Sequence, residues 1–370
     1  MTATTGRSLS DIEAAVERGE RLTRDDALAL FATPDVIGLG RLAGAAKRAR
    51  FGDRAHFVIN RQINPSNVCV LSCRFCDFAT KRGRPNAYEM TLQEVVERCS
   101  PELREVHLVG GLHPDWPWDF YLEMFRAIKS AFPQIQLKAW TAVEIDYFSK
   151  KFRLSVEDVL RQLKAVGLAA LPGGGAEVFS ERVRKALFPF KIGAPRWLEI
   201  HRAAHRLGIP TNATLLYGHM ETHEERVYHM LKLRGLQDET GGFMSFIPLA
   251  YQPGKTQVVA RQASALEDLK TIAIARLLLD NMPHIKAYWV TMGEESASVA
   301  LQFGADDIDG TIGEERIMHA ADAASPVSLT RGRLVELIRE AGCVPVERDA
   351  LYHTIHVYDD HARCESTVSQ

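Results

Sequence analysis

Three cysteines close together near residue 70 suggest that this chain binds a metal. Cys69, Cys73 and Cys76 form the pattern C-x3-C-x2-C within eight residues. Iron-sulfur clusters are usually held by four cysteine thiolates, so a loop with three leaves one iron of a 4Fe-4S cluster without a protein ligand. An open metal position is typical of catalytic sites rather than structural ones. The spacing therefore predicts a 4Fe-4S cluster whose fourth iron binds a substrate or cofactor.

Structural zinc, a redox pair and simple core packing are the alternatives to a cluster for these cysteines. A structural zinc site usually has two pairs of ligands, and the sequence has no second C-x-x-C pair. The remaining cysteines are widely separated: Cys99, Cys343 and Cys364. A thioredoxin-like redox pair at Cys73 and Cys76 would leave Cys69 without a role. Packing of three thiols in a core is disfavoured because polar residues flank the loop at 64–67 and 80–85.

The composition is that of an ordinary globular protein. Hydrophobic residues make up 46% of the 370 residues, charged residues 25%, and the net charge is -2, which gives no indication of a nucleic-acid partner. No apolar run approaches the roughly 18 residues that a membrane span needs, and the first residues lack the apolar core of a signal peptide. We therefore expect a cytoplasmic protein with reduced thiols and no membrane span.

Strand-like and helix-like segments alternate along most of the chain. Strands are predicted at 56–60, 105–109, 135–140, 168–171, 210–217, 243–249, 286–290 and 306–310. Helices are predicted after them, at 119–131, 155–166, between 176 and 206, and at 222–237, 264–281, 296–303 and 330–341. Eight strand-helix units indicate an α/β protein with a closed (β/α)8 barrel of the TIM type.

Segments outside this alternation suggest three parts of the chain. Capping residues followed by apolar positions at helical spacing predict an N-terminal helical extension at 1–55. The barrel would occupy 56–345, and 346–370 would be a C-terminal tail.

Unusual loops follow several of the predicted strands, at the barrel end where active sites form. Gly110 and Gly111 follow the second strand, and a glycine pair either permits close approach of a ligand or makes a plain turn. Glu144 follows the third strand, at the rim or on a solvated surface. Glu177 follows three glycines after the fourth strand, an arrangement that suits the hydroxyls of a nucleotide ribose.

Longer runs of residues resemble a known family. The cysteine loop, with Phe75 before its last cysteine, resembles that of the radical S-adenosylmethionine (SAM) enzymes. The chain from about 10 to 355 is similar to the aminodeoxyfutalosine synthases, on runs at 64–69, 73–78, 109–114, 141–146, 171–177, 216–222, 236–242 and 284–289. One departure is Asp77, where the family more often has a small apolar residue, and this carboxylate could alter the potential or hydration of the cluster.

The resemblance implies a cofactor set and a reaction. Cys69, Cys73 and Cys76 would hold three irons of a 4Fe-4S cluster, and SAM would bind the fourth. Gly110 and Gly111 would contact the methionine part of SAM, Glu177 its ribose, and Glu144 would belong to the same pocket. A low-potential donor such as flavodoxin or ferredoxin would supply the electron that releases a 5′-deoxyadenosyl radical. In this family the radical adds to the double bond of 3-[(1-carboxyvinyl)oxy]benzoate, the enolpyruvyl ether of 3-hydroxybenzoate. Rearrangement and loss of the carboxyl carbon then give 6-amino-6-deoxyfutalosine, in menaquinone biosynthesis by the futalosine pathway.

The implied substrate carries two carboxylates, so the pocket needs hydrogen-bond donors aimed at them. The candidates are polar residues near strand ends, each of which could instead have a packing or surface role: His113, Tyr217, His219, Lys286 and Tyr288.

Two alternative functions remain at this point. The same cysteine loop is present in other radical SAM barrels: the dehypoxanthine futalosine cyclase, the deazaflavin synthase subunits, and the thiazole or hydrogenase maturases. A non-catalytic iron-sulfur or zinc protein is the alternative from another class. The runs at 141–146 and 171–177 favour the synthase.

Overall fold

A computed structural model describes residues 7–359, and three helices precede its first strand. They are α1 (Leu9–Glu17), α2 (Arg24–Ala32) and α3 (Val36–Phe51). α1 begins where the Ser8 side chain accepts the Asp11 N–H and the Asp11 carboxylate accepts the Ser8 N–H. Such reciprocal capping satisfies backbone donors that the first helical turn leaves free.

The described part of the chain has eleven strands, of which the first nine form a closed ring and the last two lie outside it. In chain order they are β1 (Arg54–Val58), β2 (Asn60–Ile63), β3 (Glu105–Leu108), β4 (Gln136–Ala139), β5 (Leu168–Ala170), β6 (Thr211–Tyr217), β7 (Phe243–Ala250), β8 (His284–Ile285), β9 (Asp307–Gly310), β10 (Val344–Arg348) and β11 (Thr354–Val357). The parallel sheets β2-β3-β4-β5 and β6-β7-β8 are joined by bridges between Leu171 and Thr211 and between Lys286 and Asp307. β9 pairs with β1, which continues into β2 after Ile59. With β1 and β2 counted as one strand, the ring has eight parallel strands, which confirms the predicted barrel.

Helices surround this ring. They are α4 (Leu92–Glu97), α5 (Trp118–Ala131), α6 (Ala142–Phe152), α7 (Val156–Ala165), α8 (Glu181–Leu187), α9 (Ala194–Arg206), α10 (His223–Thr240), α11 (Ala265–Leu278), α12 (Trp289–Met292), α13 (Glu294–Ala300) and α14 (Arg331–Glu340), with a 3-10 turn at His319–Ala321. Among the helices in the described part of the chain, none has the length and apolarity that crossing a bilayer would require.

Side chains of the barrel strands alternate between two environments. Val106 in β3 and Leu137 in β4 are fully buried in the hydrophobic core that the strands share with the helices. The next residues, His107 and Lys138, line a cavity inside the barrel. Because successive strand residues point to opposite faces, each strand contributes to both the core and the interior.

The predicted position of the seventh strand, 286–290, was wrong. β8 ends at Ile285, Tyr288 caps α12, and the Trp289 indole donates a hydrogen bond to the Gly310 carbonyl at 3.0 Å. The aromatic and β-branched residues of this segment favour a strand locally. Packing of Trp289 in the interior overrides that preference and turns the chain into a helix.

The segment predicted as a C-terminal tail, 346–370, is described to residue 359, and 360–370 lie outside the described residues. β10 spans the boundary predicted at residue 345 and pairs in parallel with β1. β11 pairs with β10 in antiparallel orientation. The Arg348 guanidinium lies 2.6 Å from the Asp307 carboxylate, and both side chains are buried. This ion pair links β10 to β9 at the base of the barrel.

Replacing Arg348 with methionine should lower the free energy of unfolding by about 3–5 kcal/mol, because Asp307 would keep its charge without its buried partner. The matched control is Arg331→Met. Arg331 pairs with Glu347 at 3.0 Å but its side chain is 46% exposed, so we expect a loss of about 1 kcal/mol or less. Anaerobic urea unfolding of both variants measures the difference. Equal losses would contradict the role given to the buried pair.

Candidate active site

A cavity of about 280 Å³ lies at the carboxyl ends of the barrel strands. Its outer part is lined by the loops after β2, β3, β4 and β5, and its inner part by side chains of the strands themselves. All three cysteines of the C-x3-C-x2-C loop border it. The barrel therefore brings the residues of the predicted site to one place, as expected for strand-end loops.

The cysteine loop is held in shape by backbone hydrogen bonds and one lysine. The Cys69 N–H donates to the Thr80 carbonyl at 2.9 Å, and the Cys76 N–H donates to the Cys73 carbonyl at 3.2 Å. The Lys81 ammonium donates to the carbonyls of Cys69, Val70 and Leu71 at 2.8–2.9 Å. Three carbonyls on one cation fix the first half of the loop, at residues 69–71.

The spacing of the thiols indicates which metal group they suit. Zinc-sulfur bonds of about 2.3 Å keep the sulfurs of a single-ion site within about 4.6 Å of one another. Among the described residues, the set of three metal-ligand side chains with donor atoms within 4.8 Å is His56, His284 and Asp306, and not the cysteines. The three cysteine sulfurs are therefore spaced more widely than a single zinc ion requires. A 4Fe-4S cluster accepts this spacing, since each cysteine sulfur binds a different iron.

Burial also affects the ionisation of these thiols. It raises the pKa of Cys73 to about 11 and also raises that of Cys76. The same is true of Cys99 in the hydrophobic core, so a raised pKa does not by itself mark a metal ligand. A bound cation would stabilise the thiolates of Cys73 and Cys76. The three cysteines fit a 4Fe-4S cluster.

Glu177 borders the cavity together with a lysine that sequence analysis did not identify. The Lys191 ammonium lies 2.5 Å from the Glu177 carboxylate and 4.9 Å from the Phe75 ring centroid. Burial lowers the pKa of Lys191, but the charges of Glu177 and Cys73 outweigh it and leave this pKa above its usual range. Lys191 comes from the loop between α8 and α9, and only the tertiary fold places it beside the cysteines.

The glycine pair after β3 also borders the cavity, but space for the backbone explains both glycines. A side chain on Gly110 would begin 2.8 Å from the Ser66 carbonyl oxygen, and one on Gly111 would begin 2.1 Å from that of Val68. The Gly111 N–H donates to the Ser66 carbonyl at 2.8 Å. The pair thus lets the cysteine loop pack directly against β3. Contact with a ligand stays a prediction.

Glu144 lies in the first turn of α6, a helix that was not predicted from the sequence; the helix predicted at 155–166 corresponds to α7. Its carboxylate accepts the Thr141 N–H at 2.6 Å and the Gly110 N–H at 3.0 Å. Burial raises the pKa of Glu144 to about 7, against the lowering effect of these hydrogen bonds. The side chain lines the cavity, but its oxygens already cap α6 and tie it to the loop after β3.

Of the five candidates for substrate contacts, Tyr288 lines the cavity. The Lys286 ammonium lies 3.3 Å from the Asp309 carboxylate and is buried beneath the cavity surface. The Tyr217 hydroxyl donates to Asp268 at 2.6 Å on the outer side of the barrel.

The two histidine candidates are also engaged by protein groups. The His113 ring stacks on that of Trp116, with the ring centroids 4.4 Å apart. Its Nδ1 accepts the backbone N–H groups of Asp115 and Trp116. His219 is buried, and its Nδ1 lies 2.9 Å from the Glu221 carboxylate. The structure therefore does not bring His113, Tyr217, His219 or Lys286 to the cavity surface.

Asp77, the departure from the family pattern, connects the cysteine loop to the loop after β7. Its carboxylate accepts the N–H groups of Lys255 at 2.9 Å and Thr256 at 3.4 Å. A side chain on Gly254 would begin 2.3 Å from the same carboxylate oxygen, so the two loops are closely packed. Asp77 thus holds in place a loop that covers one side of the cavity.

Replacing Asp77 with alanine should speed amide hydrogen exchange at Lys255 and Thr256 by about 5- to 30-fold, because hydrogen bonds worth roughly 1–2 kcal/mol are lost. Asp115→Ala is the control, since Asp115 pairs with Arg82 on another exposed loop. Mass spectrometry of deuterium uptake measures both variants. Unchanged exchange at 255–256 in the Asp77 variant would show that the loop is held by other contacts.

Comparison with known proteins adds to this geometry. Residues 63–233 match the radical SAM superfamily, and residues 240–360 match the CofH/MqnC C-terminal region. The chain is 49% identical over 361 residues to the aminodeoxyfutalosine synthase of Thermus thermophilus, covering 95% of this chain and 97% of that protein. The corresponding enzyme of Streptomyces coelicolor is 44% identical over 374 residues, with 96% and 97% covered.

Other relatives are named for different reactions. The cyclic dehypoxanthine futalosine synthase of Streptomyces coelicolor is 38% identical over 365 residues, with 95% of this chain and 91% of that protein covered. Among solved structures, the hydrogenase maturase HydG of Carboxydothermus hydrogenoformans has a TM-score of 0.72 at 18% identity, covering 93% of this chain and 80% of that one. This likeness supports the fold alone.

Proposed function

The chain belongs to the radical SAM superfamily, within the family of the aminodeoxyfutalosine synthases, and we propose that it makes 6-amino-6-deoxyfutalosine from SAM and 3-[(1-carboxyvinyl)oxy]benzoate. The observation that carries the proposal is 49% identity over 95% of the chain to a synthase. The cavity supports it, because three thiols and the Glu177–Lys191 pair line the same space.

Cys69, Cys73 and Cys76 are the residues that would hold the 4Fe-4S cluster. When bound, the cluster and SAM supply the 5′-deoxyadenosyl radical that adds to the double bond of the acceptor. The task of the protein is to hold the reacting carbons together and to exclude water, since the cofactor carries the difficult chemistry.

Charged groups near the thiols fit an amino-acid and nucleoside ligand. The Lys191 ammonium lies within the electrostatic reach of Cys73 and Cys76, where the carboxylate of SAM would meet a cation. Glu177 borders the same space, and its carboxylate can accept ribose hydroxyls. Gly110 and Gly111 lie at its edge, beside the cysteine loop, and Glu144 fixes them through its hydrogen bond to the Gly110 N–H.

The acceptor needs an apolar surface for its aromatic ring. Leu216, Ile247 and Leu249, from β6 and β7, provide one, and Ile317 and Met318 extend it from the chain after β9. Burial of a benzene ring on such a surface is favourable and excludes water from the radical.

We also propose that a small acidic redox protein such as flavodoxin or ferredoxin supplies the electron. The surface beside the cysteine loop carries the exposed basic residues Arg74 and Lys185. Two apolar side chains accompany them, Phe190 at 73% and Val70 at 43% exposed. Lys185 also lies 4.0 Å from the exposed Glu181 carboxylate. Exposed basic side chains beside apolar ones suit an acidic partner. The described cysteines are free thiols, which fits the reducing cytoplasm.

Mass analysis of the product tests the proposed reaction. Reconstituted enzyme with SAM, the enolpyruvyl ether and dithionite should give a product that retains the adenosyl carbon skeleton, and reduced flavodoxin should replace dithionite. Release of 5′-deoxyadenosine without an adduct would contradict the synthase function and would favour a radical SAM enzyme that abstracts hydrogen, such as the cyclase.

A further inference from the structure

Three polar side chains form a row across the inner wall of the cavity. Gln62 in β2 pairs in register with His107 in β3, which pairs in register with Lys138 in β4. All three line the cavity. In-register neighbours on parallel strands point the same way, so the three side chains lie side by side. None of them was identified as a candidate from the sequence.

His107 presents a hydrogen-bond donor that is not used within the described residues. Its Nδ1 accepts the amide N–H of Gln62 at 3.4 Å, which places the ring hydrogen on Nε2. Nε2 is buried and has no hydrogen-bond partner among those residues. Burial and the charge of Lys138 lower the pKa of His107 to about 3, so the ring is neutral. A buried donor without a partner costs free energy unless a ligand accepts its hydrogen bond.

Lys138 supplies a cation beside this donor. Its ammonium lies 2.5 Å from the Glu105 carboxylate, which is fully buried and does not line the cavity. An ammonium group has three N–H donors, and Glu105 occupies one side of it. Burial lowers the pKa of Lys138, and the charge of Lys286 adds to this effect. The charges of Glu105 and Asp309 oppose it without outweighing it. Asp309 also lines the cavity but is paired with Lys286, so a ligand carboxylate beside Lys138 would further stabilise its charged form.

The position of the row distinguishes between the two carboxylates of the acceptor. His107 lies three residues before Gly110, about 10 Å deeper along the strand than the rim where the cysteine loop lies. The enol carboxylate is attached to the double bond that reacts beside the SAM site. The carboxylate on the ring is farther from that bond, and with the ring on the apolar wall it would extend towards the row.

We propose that His107 Nε2–H and the Lys138 ammonium bind the ring carboxylate of the acceptor, with Gln62 fixing the orientation of the imidazole. This subsite rests on the proposed function, since it assumes a benzoate acceptor. It makes His107 and Lys138 the residues that select an aromatic substrate with a carboxylate at the ring.

Equilibrium binding to the SAM-loaded holoenzyme tests the subsite with two probes, the enolpyruvyl ether and 2-phenoxyacrylate, which lacks the ring carboxylate. The wild type should bind the ether about 10- to 100-fold more tightly, as expected for hydrogen bonds to a charged group. His107→Leu should weaken binding of the ether by a similar factor and leave binding of 2-phenoxyacrylate unchanged. Equal weakening for both probes, or none for the ether, would overturn the proposal.

Two further variants keep the test interpretable. Gln62→Leu leaves the imidazole in place without its orienting amide, so it should show the same selectivity with a smaller loss, about 3- to 10-fold. If His107→Leu does not fold, this variant and the two wild-type affinities decide the question. The control is His201→Leu, another buried histidine with an unpaired Nε2, which lies on α9 outside the cavity. A wild type that binds the ether but forms no adduct refutes the proposed function and not the subsite.

Discussion

Replacing Cys73 with alanine should remove the cluster and lower adduct formation by roughly three orders of magnitude or more, because two thiolates cannot hold three irons. Iron and sulfide analysis of the anaerobically reconstituted protein measures the first effect, and product assays measure the second. The thiol borders the cavity near the Glu177–Lys191 pair and is only partly buried against the core, so its loss mainly removes a ligand.

Cys99→Ala is the matched control for the loss of a thiol. Cys99 is buried in the hydrophobic core, where its Sγ lies 3.6 Å from the Val95 carbonyl oxygen. This variant should keep full iron content and activity. A Cys73 variant with full iron content would refute the assignment of the metal ligands.

Replacing Glu177 with glutamine should weaken SAM binding by about 10- to 100-fold while iron content stays at the wild-type level. The amide keeps the shape of the side chain but removes the charge that accepts hydroxyl hydrogens and balances Lys191 at 2.5 Å. Equilibrium binding of SAM to the reconstituted protein measures the change.

Glu181→Gln serves as the control for the Glu177 variant. Glu181 pairs with Arg184 on the exposed face of α8, four residues further along the chain, and should not affect SAM. Loss of iron from the Glu177 variant would assign this carboxylate a structural role, and unchanged SAM affinity would remove it from the ribose site.

The cysteine loop and the barrel could be predicted because their signals are local. The spacing of Cys69, Cys73 and Cys76 predicts a cluster with an open iron, and the alternation of strand-like and helix-like segments predicts the fold. The strand-end rule then places Glu177 and the glycine pair at the cavity. None of these inferences needs to know which side chains meet across the barrel.

Lys191 could not be predicted, because only the tertiary fold brings its loop to the thiols. Lys286 and Tyr217 were candidates from strand-end position, but Asp309 and Asp268, which are distant in sequence, engage them. The end of β8 at Ile285 and the start of α12 at Trp289 also depend on tertiary structure, since the Trp289 indole donates to the Gly310 carbonyl. Partners from other segments decide each of these positions.

A signal for His107 and Lys138 was present in the sequence. Central strands of a parallel barrel are buried on both faces and are usually apolar throughout. A histidine in β3 and a lysine in β4 therefore indicate a polar interior, as a cavity that binds a polar ligand needs. Polar residues inside strands, and not only those after them, thus indicate the inner wall of the cavity.

The electron paramagnetic resonance spectrum of the reduced, reconstituted protein, recorded with and without SAM, decides whether the cluster has an open iron. Three cysteine ligands leave one iron without a protein ligand, so we expect a 4Fe-4S signal that shifts when SAM is added. A reduced spectrum that SAM leaves unchanged would mean that no iron is open to it, and would contradict the proposed function.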